Sequence, residues 1–448
     1  MRPELHSCPA RRSALARAAL LSLSAALWAA PSFQALAQDT PNPSVKPVEP
    51  TLDTVVVTGS SAGAPTEDSP DFTARTANTA TRLDLTPRET PQSVSVVTNA
   101  QMQAFGLRDA RTLLSSVTGM NVELVETDRA YYSVRGFEVT NFQFDGVGLP
   151  FATGDQLGDI DTAIFDRVEV LRGANGLMSS TGNPSATVNF VRKRPTAQFQ
   201  ASGGLTLGSW QQRRVDADLA GALNASGSVR GRLVQAAEDK ESYLDHYGQE
   251  KQVFYGVVEA DLSPSTLLTL GHTQQENRPR GVLWGALPMR DANGMQTDYP
   301  VSTSTSAPWT YWDTQDTNTF AELSHQFANG WAAKGVLTRR ELRSDGEMLY
   351  VYGAPDPVTG AGLFSWPSKY HHSEEQWIAD VHVSGPFELA GRRHQAVLGL
   401  SSSRSDSAHE SSEDDVGIAI PGSDVFTGRF PRPAFDQGIS GYAEMADR

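Results

Sequence analysis

The chain has 448 residues, of which 39% are hydrophobic, and it carries a formal net charge of −15 at neutral pH. This acidic balance argues against nucleic acid as a partner, because phosphate backbones bind to basic surfaces. The single cysteine, Cys8, lies in a segment that we expect to be removed on export. The mature chain would then have no thiol for a disulfide, a thiolate metal site or a cysteine nucleophile.

Residues 1–37 predict a signal peptide. A basic start precedes a short apolar run at residues 18–30, and Ala35-Leu36-Ala37 then provides the small-x-small pattern of a cleavage site. The apolar run is shorter than the roughly 20 residues that a membrane-spanning helix needs. We therefore predict cleavage before Gln38 and export of the protein; the alternative is a buried amphipathic helix.

Residues 38–80 predict a flexible tether, because a segment rich in Pro, Ser, Thr, Ala and Gly cannot bury a core. One island, DTVVVTG at residues 53–59, differs from the rest of the tether. Its consecutive valines favour an extended conformation, and an exposed extended segment is suited to pairing with the sheet edge of another protein. The alternative is an extra strand of the domain that follows.

Residues 81–196 predict a compact α+β domain. Thr98 and Gln101 form a capping box that begins a single amphipathic helix, and Gly119 is placed to end it. The dipeptide Asp145-Gly146 predicts a tight turn between extended segments. The predicted strands of the domain cover residues 90–98, 131–137, 141–149, 165–173 and 186–195.

Beyond residue 197 the pattern changes to segments of about ten alternating residues, which is typical of membrane β-strands. Short turns join many of these segments, whereas longer polar connections occur at residues 240–252, 277–316, 345–373 and 401–437. Short turns on one side and long loops on the other are typical of an outer-membrane antiparallel β-barrel. A soluble β-sandwich or propeller would also explain the alternation, but it accounts less well for the loop asymmetry and the signal peptide.

Four motifs in this order resemble the TonB-dependent siderophore receptors. They are PQSVSVVT at 91–98, DRAYYSVRGF at 128–137, QFDGVGLP at 143–150 and FDRVEVLRGANGLMSSTGNPSATVNFVRKRPT at 165–196. DRAYYSVRGF and WGALP at 284–288 look most like receptors for ferric hydroxamate or mixed-ligand siderophores of the coprogen and pyoverdine kind. The resemblance implies an α+β plug domain, residues 81–196, inside a 22-stranded barrel of which residues 197–448 supply about half.

The resemblance also implies the partners. TonB, driven by its inner-membrane energising complex, would grip the tether in the periplasm. The cargo would be a ferric siderophore that carries its own iron, so that no cofactor or protein-bound metal is needed. The expected location is the outer membrane of a Gram-negative bacterium, in contact with lipid. The segment that TonB would grip consists of Asp53, Thr54, Val55, Val56, Val57, Thr58 and Gly59.

Two sets of site residues follow from the matched motifs. Arg129 and Trp284 would contact the siderophore, since a guanidinium can donate a forked pair of hydrogen bonds to an anionic or carbonyl-rich ligand. Arg135, Glu169 and Arg172 would form charge pairs that hold the plug against the barrel wall; the alternative is that they are ordinary solvated residues. His371 and the residues after it, HHSEE, are interpreted as a solvated polar turn rather than as a metal site.

The barrel region departs from the family pattern in its length. We count nine clear strand segments and the start of a tenth, and the chain does not end on the strand with a terminal aromatic residue that family members have. We therefore expect a C-terminally truncated chain. The alternatives to a siderophore receptor are a receptor for haem, cobalamin or a saccharide, and an inactive truncated gene product. A barrel enzyme is disfavoured, because the sequence shows no nucleophile elbow and no HExxH motif.

Overall fold

A computed structural model describes residues 65–67, 69–149, 156–173, 184–435 and 440–447. All of them belong to one unit, residues 59–448. The predicted signal peptide, the DTVVVTG segment and most of the predicted tether lie outside the described residues. No helix within the described ranges is long and apolar enough to cross a membrane.

The first part of the described chain forms two small sheets and two short helices. Helices α1 and α2 span Asn99–Ala104 and Ala110–Ser115, and a 3₁₀ turn covers Thr162–Ile164. The strands are β1 Ser93–Thr98, β2 Met120–Leu124, β3 Arg129–Val134, β4 Phe137–Glu138, β5 Asn141–Phe144, β6 Val147–Gly148, β7 Gln156–Leu157, β8 Phe165–Arg172 and β9 Ala186–Arg192. One sheet has the order β1-β8-β9-β5-β6, and the other joins β2, β3 and β4, with β7 paired to β3.

Local sequence signals explain most of these elements. Thr98 caps α1, since its side chain accepts a hydrogen bond from the Gln101 backbone N–H at 3.3 Å. Asp145 and Gly146 both adopt positive φ, 50° and 81°, which confirms the predicted tight turn. The predicted single helix is wrong, however. Gly106 has a φ of +61° just after α1, and Asp109 caps a separate second helix by accepting from Thr112.

The rest of the described chain forms one antiparallel sheet. Its strands are β10 Gln200–Leu207, β11 Arg213–Ala222, β12 Val229–Glu241, β13 Gly248–Ser263, β14 Thr266–Arg280, β15 Tyr311–Gln326, β16 Ala332–Gly353, β17 Leu363–Leu389, β18 Arg392–Glu413, β19 Ala419–Ile420 and β20 Ser440–Asp447. From β10 to β18, neighbouring strands along the chain pair with one another. β20 then pairs with β18, and β19 pairs with β17. A short helix, α3, covers Gly422–Val425.

The connections between these strands are asymmetric, as predicted. One end of the sheet has the connections 223–228, 264–265, 327–331 and 390–391, whereas the long connections 281–310 and 414–439 lie at the other end. The predicted loops at 345–373 and 401–437 are nevertheless too long, because β16, β17 and β18 continue well into them. His371 and the HHSEE motif therefore lie within β17 and not in a turn.

The core centres on the first sheet, where every residue of β9 is buried. The rings of Phe144, Phe165 and Phe190 pack together with centroids 5.0 to 5.9 Å apart. Tyr255 and Phe320, from two strands of the large sheet, belong to the same core. The α+β domain therefore packs on one face of the large sheet. The opposite face exposes apolar side chains, among them Leu270 at 50% and Val381 at 55%.

Candidate ligand-binding surface and plug–barrel interface

Arg129 begins β3 and lies near the end of the large sheet that carries the long connections. The Glu126 carboxylate accepts hydrogen bonds from the Arg129 Nε, at 2.9 Å, and from the Arg129 Nη2. The guanidinium carbon lies 5.8 Å from the centroid of the Trp312 ring. Its side chain is 28% exposed. Glu126 thus orients a cationic side chain that solvent can still reach.

Trp284 lies in the 281–310 connection and is part of an aromatic cluster, which we define as Trp284, Trp312, Tyr350 and Tyr370. The Trp284 ring meets Tyr350 and Tyr370 edge-on, with centroids 5.9 and 5.4 Å apart. Trp284 also packs against the apolar group that contains Trp312. The two predicted ligand residues are therefore brought together, because Arg129 lies over Trp312 and Trp284 packs against the apolar group that contains Trp312. Guanidinium and aromatic groups on one surface suit an oxygen-rich ligand with planar groups.

Asp128, next to Arg129, is buried at 1% exposure. Its carboxylate accepts hydrogen bonds from the hydroxyls of Thr127, at 2.6 Å, and Tyr247, at 3.0 Å. Burial raises the pKa of Asp128 to about 6, although the Thr127 hydroxyl and the nearby Arg111 act in the opposite direction. Tyr247 lies between β12 and β13, so this bond connects the α+β domain to the large sheet.

A buried ion cluster, the Asp159–Asp161 cluster, lies between the same two parts. Lys251 of β13 places its Nζ 2.8 Å from Asp159 and 2.9 Å from Asp161. Arg214 of β11 donates to both oxygens of Asp161, at 2.7 and 3.0 Å. Burial alone would raise the pKa of Asp161, but the charges of Lys251 and Arg214 hold it below its usual value. The cluster therefore fixes residues 156–161 against the strands.

A second group, the Arg194 cluster, lies nearer the end with the short connections. Arg194 lies 3.1 Å from Glu322 of β15 and 3.4 Å from Asp145, and Lys334 of β16 also pairs with Glu322, at 2.9 Å. Arg192 pairs with Asp145 at 2.8 Å. Burial alone would raise the pKa of Asp145, yet the two arginines keep it below its usual value. The Asp145-Gly146 turn therefore also supplies a charge at the interface between the α+β domain and the large sheet.

Two bidentate ion pairs tie the segment before β1 to the large sheet. Glu67 receives two hydrogen bonds from Arg232 of β12, at 2.6 and 2.7 Å. Arg82 donates two to Asp380 of β17, at 2.8 and 2.7 Å. Bidentate arginine–carboxylate pairs are among the stronger charge-assisted hydrogen bonds. The chain is thus held against the strand wall from Glu67 onward, and Ala77, Thr79 and Ala80 are buried. The predicted flexible tether, residues 38–80, therefore extends too far at its C-terminal end.

The residues that we predicted for this role make other contacts. Glu169 pairs with Arg167 at 2.8 Å, and Arg172 donates to the Ser93 and Ser95 hydroxyls and to the Thr118 carbonyl, all within the α+β domain. Arg135 is exposed and has no ion pair within the described ranges. The predicted assignment of Glu169 and Arg172 to pairs with the strand wall is therefore corrected, because their partners lie in the same domain. For Arg135 it stays a prediction.

The Asp159–Asp161 cluster was missed in the sequence, although a signal for it exists. Arg214, Glu238 and Lys251 lie on the consecutive strands β11, β12 and β13, at buried positions of their in–out alternation. A membrane barrel directs such side chains inward. Charges at such positions need partners, because an unpaired buried charge is strongly unfavourable. A DxD pair in the preceding domain was a candidate partner for them.

An α+β domain packed on the polar face of a long-stranded antiparallel sheet is the architecture of a plug-and-barrel protein. Residues 86–187 match the family model of the TonB-dependent receptor plug domain. The ferripyoverdine receptor of Pseudomonas aeruginosa is 40% identical over 368 residues, which are 79% of this chain and 44% of that receptor. The ferric-pyoverdine BN7/BN8 receptor of Pseudomonas putida is 36% identical, with the same shares. The chain belongs to the family of TonB-dependent siderophore receptors.

Solved structures agree with this assignment. The pyoverdine outer-membrane receptor of Pseudomonas aeruginosa bound to pyoverdine is 35% identical, with a TM-score of 0.81 over 88% of this chain and 58% of that one. The chain spans less than half the length, 44%, of each of the two curated relatives named above. Solved relatives are named as receptors of the outer membrane, and the chain is placed in the same membrane.

Proposed function

We propose that the protein binds a ferric siderophore at the surface formed by Arg129 and the aromatic cluster, and that it takes part in importing this cargo with energy delivered by TonB. The observation that carries the proposal is that Arg129 lies over the Trp312 ring, while Trp284 packs against the apolar group to which Trp312 belongs. Relatives named as ferripyoverdine receptors support the same class of cargo.

The chemistry of the surface fits such a cargo. A ferric siderophore surrounds its iron with its own oxygen atoms, so the protein needs to recognise the chelate and not the metal. Arg129 can donate to chelate oxygens, and the rings of Trp284 and Tyr370 can pack on planar or apolar parts of the ligand. Glu126 keeps the guanidinium in place before the ligand arrives, which reduces the entropy lost on binding.

The domain assignments extend this proposal. Residues 81–196 would form the plug and residues 197–448 the part of the barrel that this chain supplies. Residues 53–59 would be the segment that TonB grips, and the part of residues 38–80 that precedes Glu67 would be the tether that carries it. Glu67 and Arg82, which bind the strand wall, would then mark the end of the freely moving tether.

A binding titration tests the proposal. The 448-residue chain in detergent micelles is titrated with ferripyoverdine, and binding is followed by quenching of tryptophan fluorescence. Arg129→Ala should weaken binding at least tenfold, because a hydrogen bond to a charged group contributes roughly 1.5–3 kcal/mol and 1.4 kcal/mol corresponds to about tenfold. Arg290→Ala is the matched control, since the side chain of this exposed arginine donates, within the described part of the chain, to a carbonyl of its own loop.

Trp284→Ala should weaken binding and also remove part of the quenching signal. If the unmodified chain binds no ferripyoverdine, or if Arg129→Ala binds as tightly as Arg290→Ala, the proposed site is wrong. Iron-loaded siderophores of other chemistry, and haem, serve as comparison ligands in the same titration. Tighter binding of haem than of every ferric siderophore would overturn the assignment of the cargo.

A further inference from the structure

A hydrogen bond between the plug and a strand connection lies directly beneath the proposed ligand surface. The Tyr247 hydroxyl donates to the buried Asp128 carboxylate at 3.0 Å. Tyr247 lies in the connection 242–247, at the same end of the sheet as the long connections. Asp128 immediately precedes Arg129, the first residue of β3. The bond therefore ties the turn that carries Arg129 to the barrel.

The same turn is held on its plug side. Arg111 of α2 donates to the Thr127 carbonyl at 3.1 Å, and the Thr127 hydroxyl donates to Asp128 at 2.6 Å. Glu126, 6% exposed, receives the Arg129 guanidinium. Each residue of the turn 126–129 thus has a partner, and Asp128 provides its bond to the strand connection.

Asp128 is also linked to the Asp159–Asp161 cluster by the main chain. The Gly158 N–H donates to the Asp128 carbonyl at 2.8 Å, and Asp159 follows directly. Gly158 has a φ of +69°, and a Cβ there would lie 2.5 Å from the Thr314 hydroxyl of β15. Residues 156–161 therefore have little room to move without breaking contacts to the barrel.

We propose that Asp128 and Tyr247 are positioning residues for the ligand, which hold the turn 126–129 so that Arg129 faces the aromatic cluster and which join this turn to the Asp159–Asp161 cluster. The inference rests on the proposed function and deepens it. Displacement of Arg129 by a bound chelate would strain the Asp128–Tyr247 bond and the Gly158–Asp128 bond together. Occupancy of the site would then be felt at the ion cluster between plug and barrel.

Hydrogen exchange and ligand affinity together test this inference. In the 448-residue chain in detergent micelles, Tyr247→Phe should speed amide exchange roughly tenfold in residues 126–132 and at Gly158. It should also weaken ferripyoverdine binding roughly tenfold. Tyr243→Phe is the matched control, because Tyr243 lies in the same connection and is 51% exposed. It should change neither quantity.

Asp128 variants separate positioning from general stability. Asp128→Asn should keep most of the affinity, since its amide oxygen can still accept from Tyr247, whereas Asp128→Ala should lose as much as Tyr247→Phe. Exchange at Gly158 that is the same in Tyr247→Phe and Tyr243→Phe overturns the inference, whatever the ligand result. Faster amide exchange in Tyr247→Phe with unchanged ferripyoverdine affinity also overturns the inference, because the Asp128–Tyr247 bond would then have only a structural role. Absence of ferripyoverdine binding by the unmodified chain instead overturns the proposed function, and the exchange measurement still decides whether the tie exists.

Discussion

Lys251 is the residue whose loss should weaken the plug–barrel interface most clearly. Its Nζ lies 2.8 Å from Asp159 and 2.9 Å from Asp161, and both carboxylates are fully buried. In Lys251→Met the side chain keeps nearly its length but loses its charge. Asp161 would retain Arg214, whereas the nearest cation left to Asp159 would be Arg111, at 3.9 Å. Asp159 would thus remain buried and poorly paired.

Removing one partner of a buried pair typically costs about 3–5 kcal/mol. Because Asp161 keeps Arg214, we expect Lys251→Met to lower the free energy of unfolding of the plug by about 3 kcal/mol, at the lower end of this range. Lys240→Met is the matched control on the neighbouring strand. Lys240 is 27% exposed, and among the described residues it forms an ion pair with Glu238, at 3.2 Å. Its loss should cost less than about 1 kcal/mol.

Urea titration of the chain in detergent micelles, followed by hydrogen exchange of the plug, measures both variants. The pKa values of Asp159 and Asp161 are held below their usual range against the opposing effect of burial. Their contribution is therefore present above about pH 4, the ordinary pKa of a carboxyl group, and is lost as pH falls through the lowered values. The difference between Lys251→Met and the unmodified chain should shrink below pH 4. Equal stabilities of Lys251→Met and Lys240→Met at pH 7 would refute the reasoning.

Two further variants test the packing and the titration of the interface. A Cβ on Gly271 would overlap the Phe320 ring, over which the Arg192 guanidinium lies at 3.7 Å. Gly271→Ala should therefore lower the free energy of unfolding by about 1–3 kcal/mol in urea titrations. Gly256→Ala should be close to neutral, since its Cβ would come no nearer than 3.5 Å to another side chain, and equal losses in the two variants would contradict the packing. Burial raises the pKa of Asp128 to about 6, so this carboxyl favours the folded state below about pH 4 and loses about 3 kcal/mol as pH rises to 6. Asp128→Asn should remove this part of the pH dependence, and an unchanged slope between pH 4 and 6 would show that Asp128 titrates normally.

Local features of the fold were predictable where one short signal decides the conformation. The Asp145-Gly146 turn follows from residues that tolerate positive φ, and the Thr98 cap follows from its hydroxyl. The continuity of the helix after Thr98 was not predictable in the same way. Apolar spacing continues across the break, while Gly106 and the competing Asp109 cap determine where the chain turns.

Features that depend on contacts between distant segments could not be predicted without knowing which strands pair. The HHSEE motif is polar enough for a loop, yet it is held in β17 by pairing with β16, for instance His371 with Asp345. The ligand surface was partly predictable, because Arg129 and Trp284 matched family motifs. The contributions of Tyr247 and Asp128 were not, since a tyrosine in a short connection carries no signal until its partner in the plug is known.

The alternation that identifies the strands also explains how the plug is held. Leu270 and Leu337 face outward at about half exposure, while Lys251 and Glu322, on the opposite face of their strands, meet charges of the plug. An apolar interface of similar shape could be as stable or more so. It could not be separated without exposing apolar surface to water, whereas charged groups can be hydrated again once they part. If the plug moves during import, as the proposed function requires, paired charges allow it to bind the strand wall firmly and still separate from it.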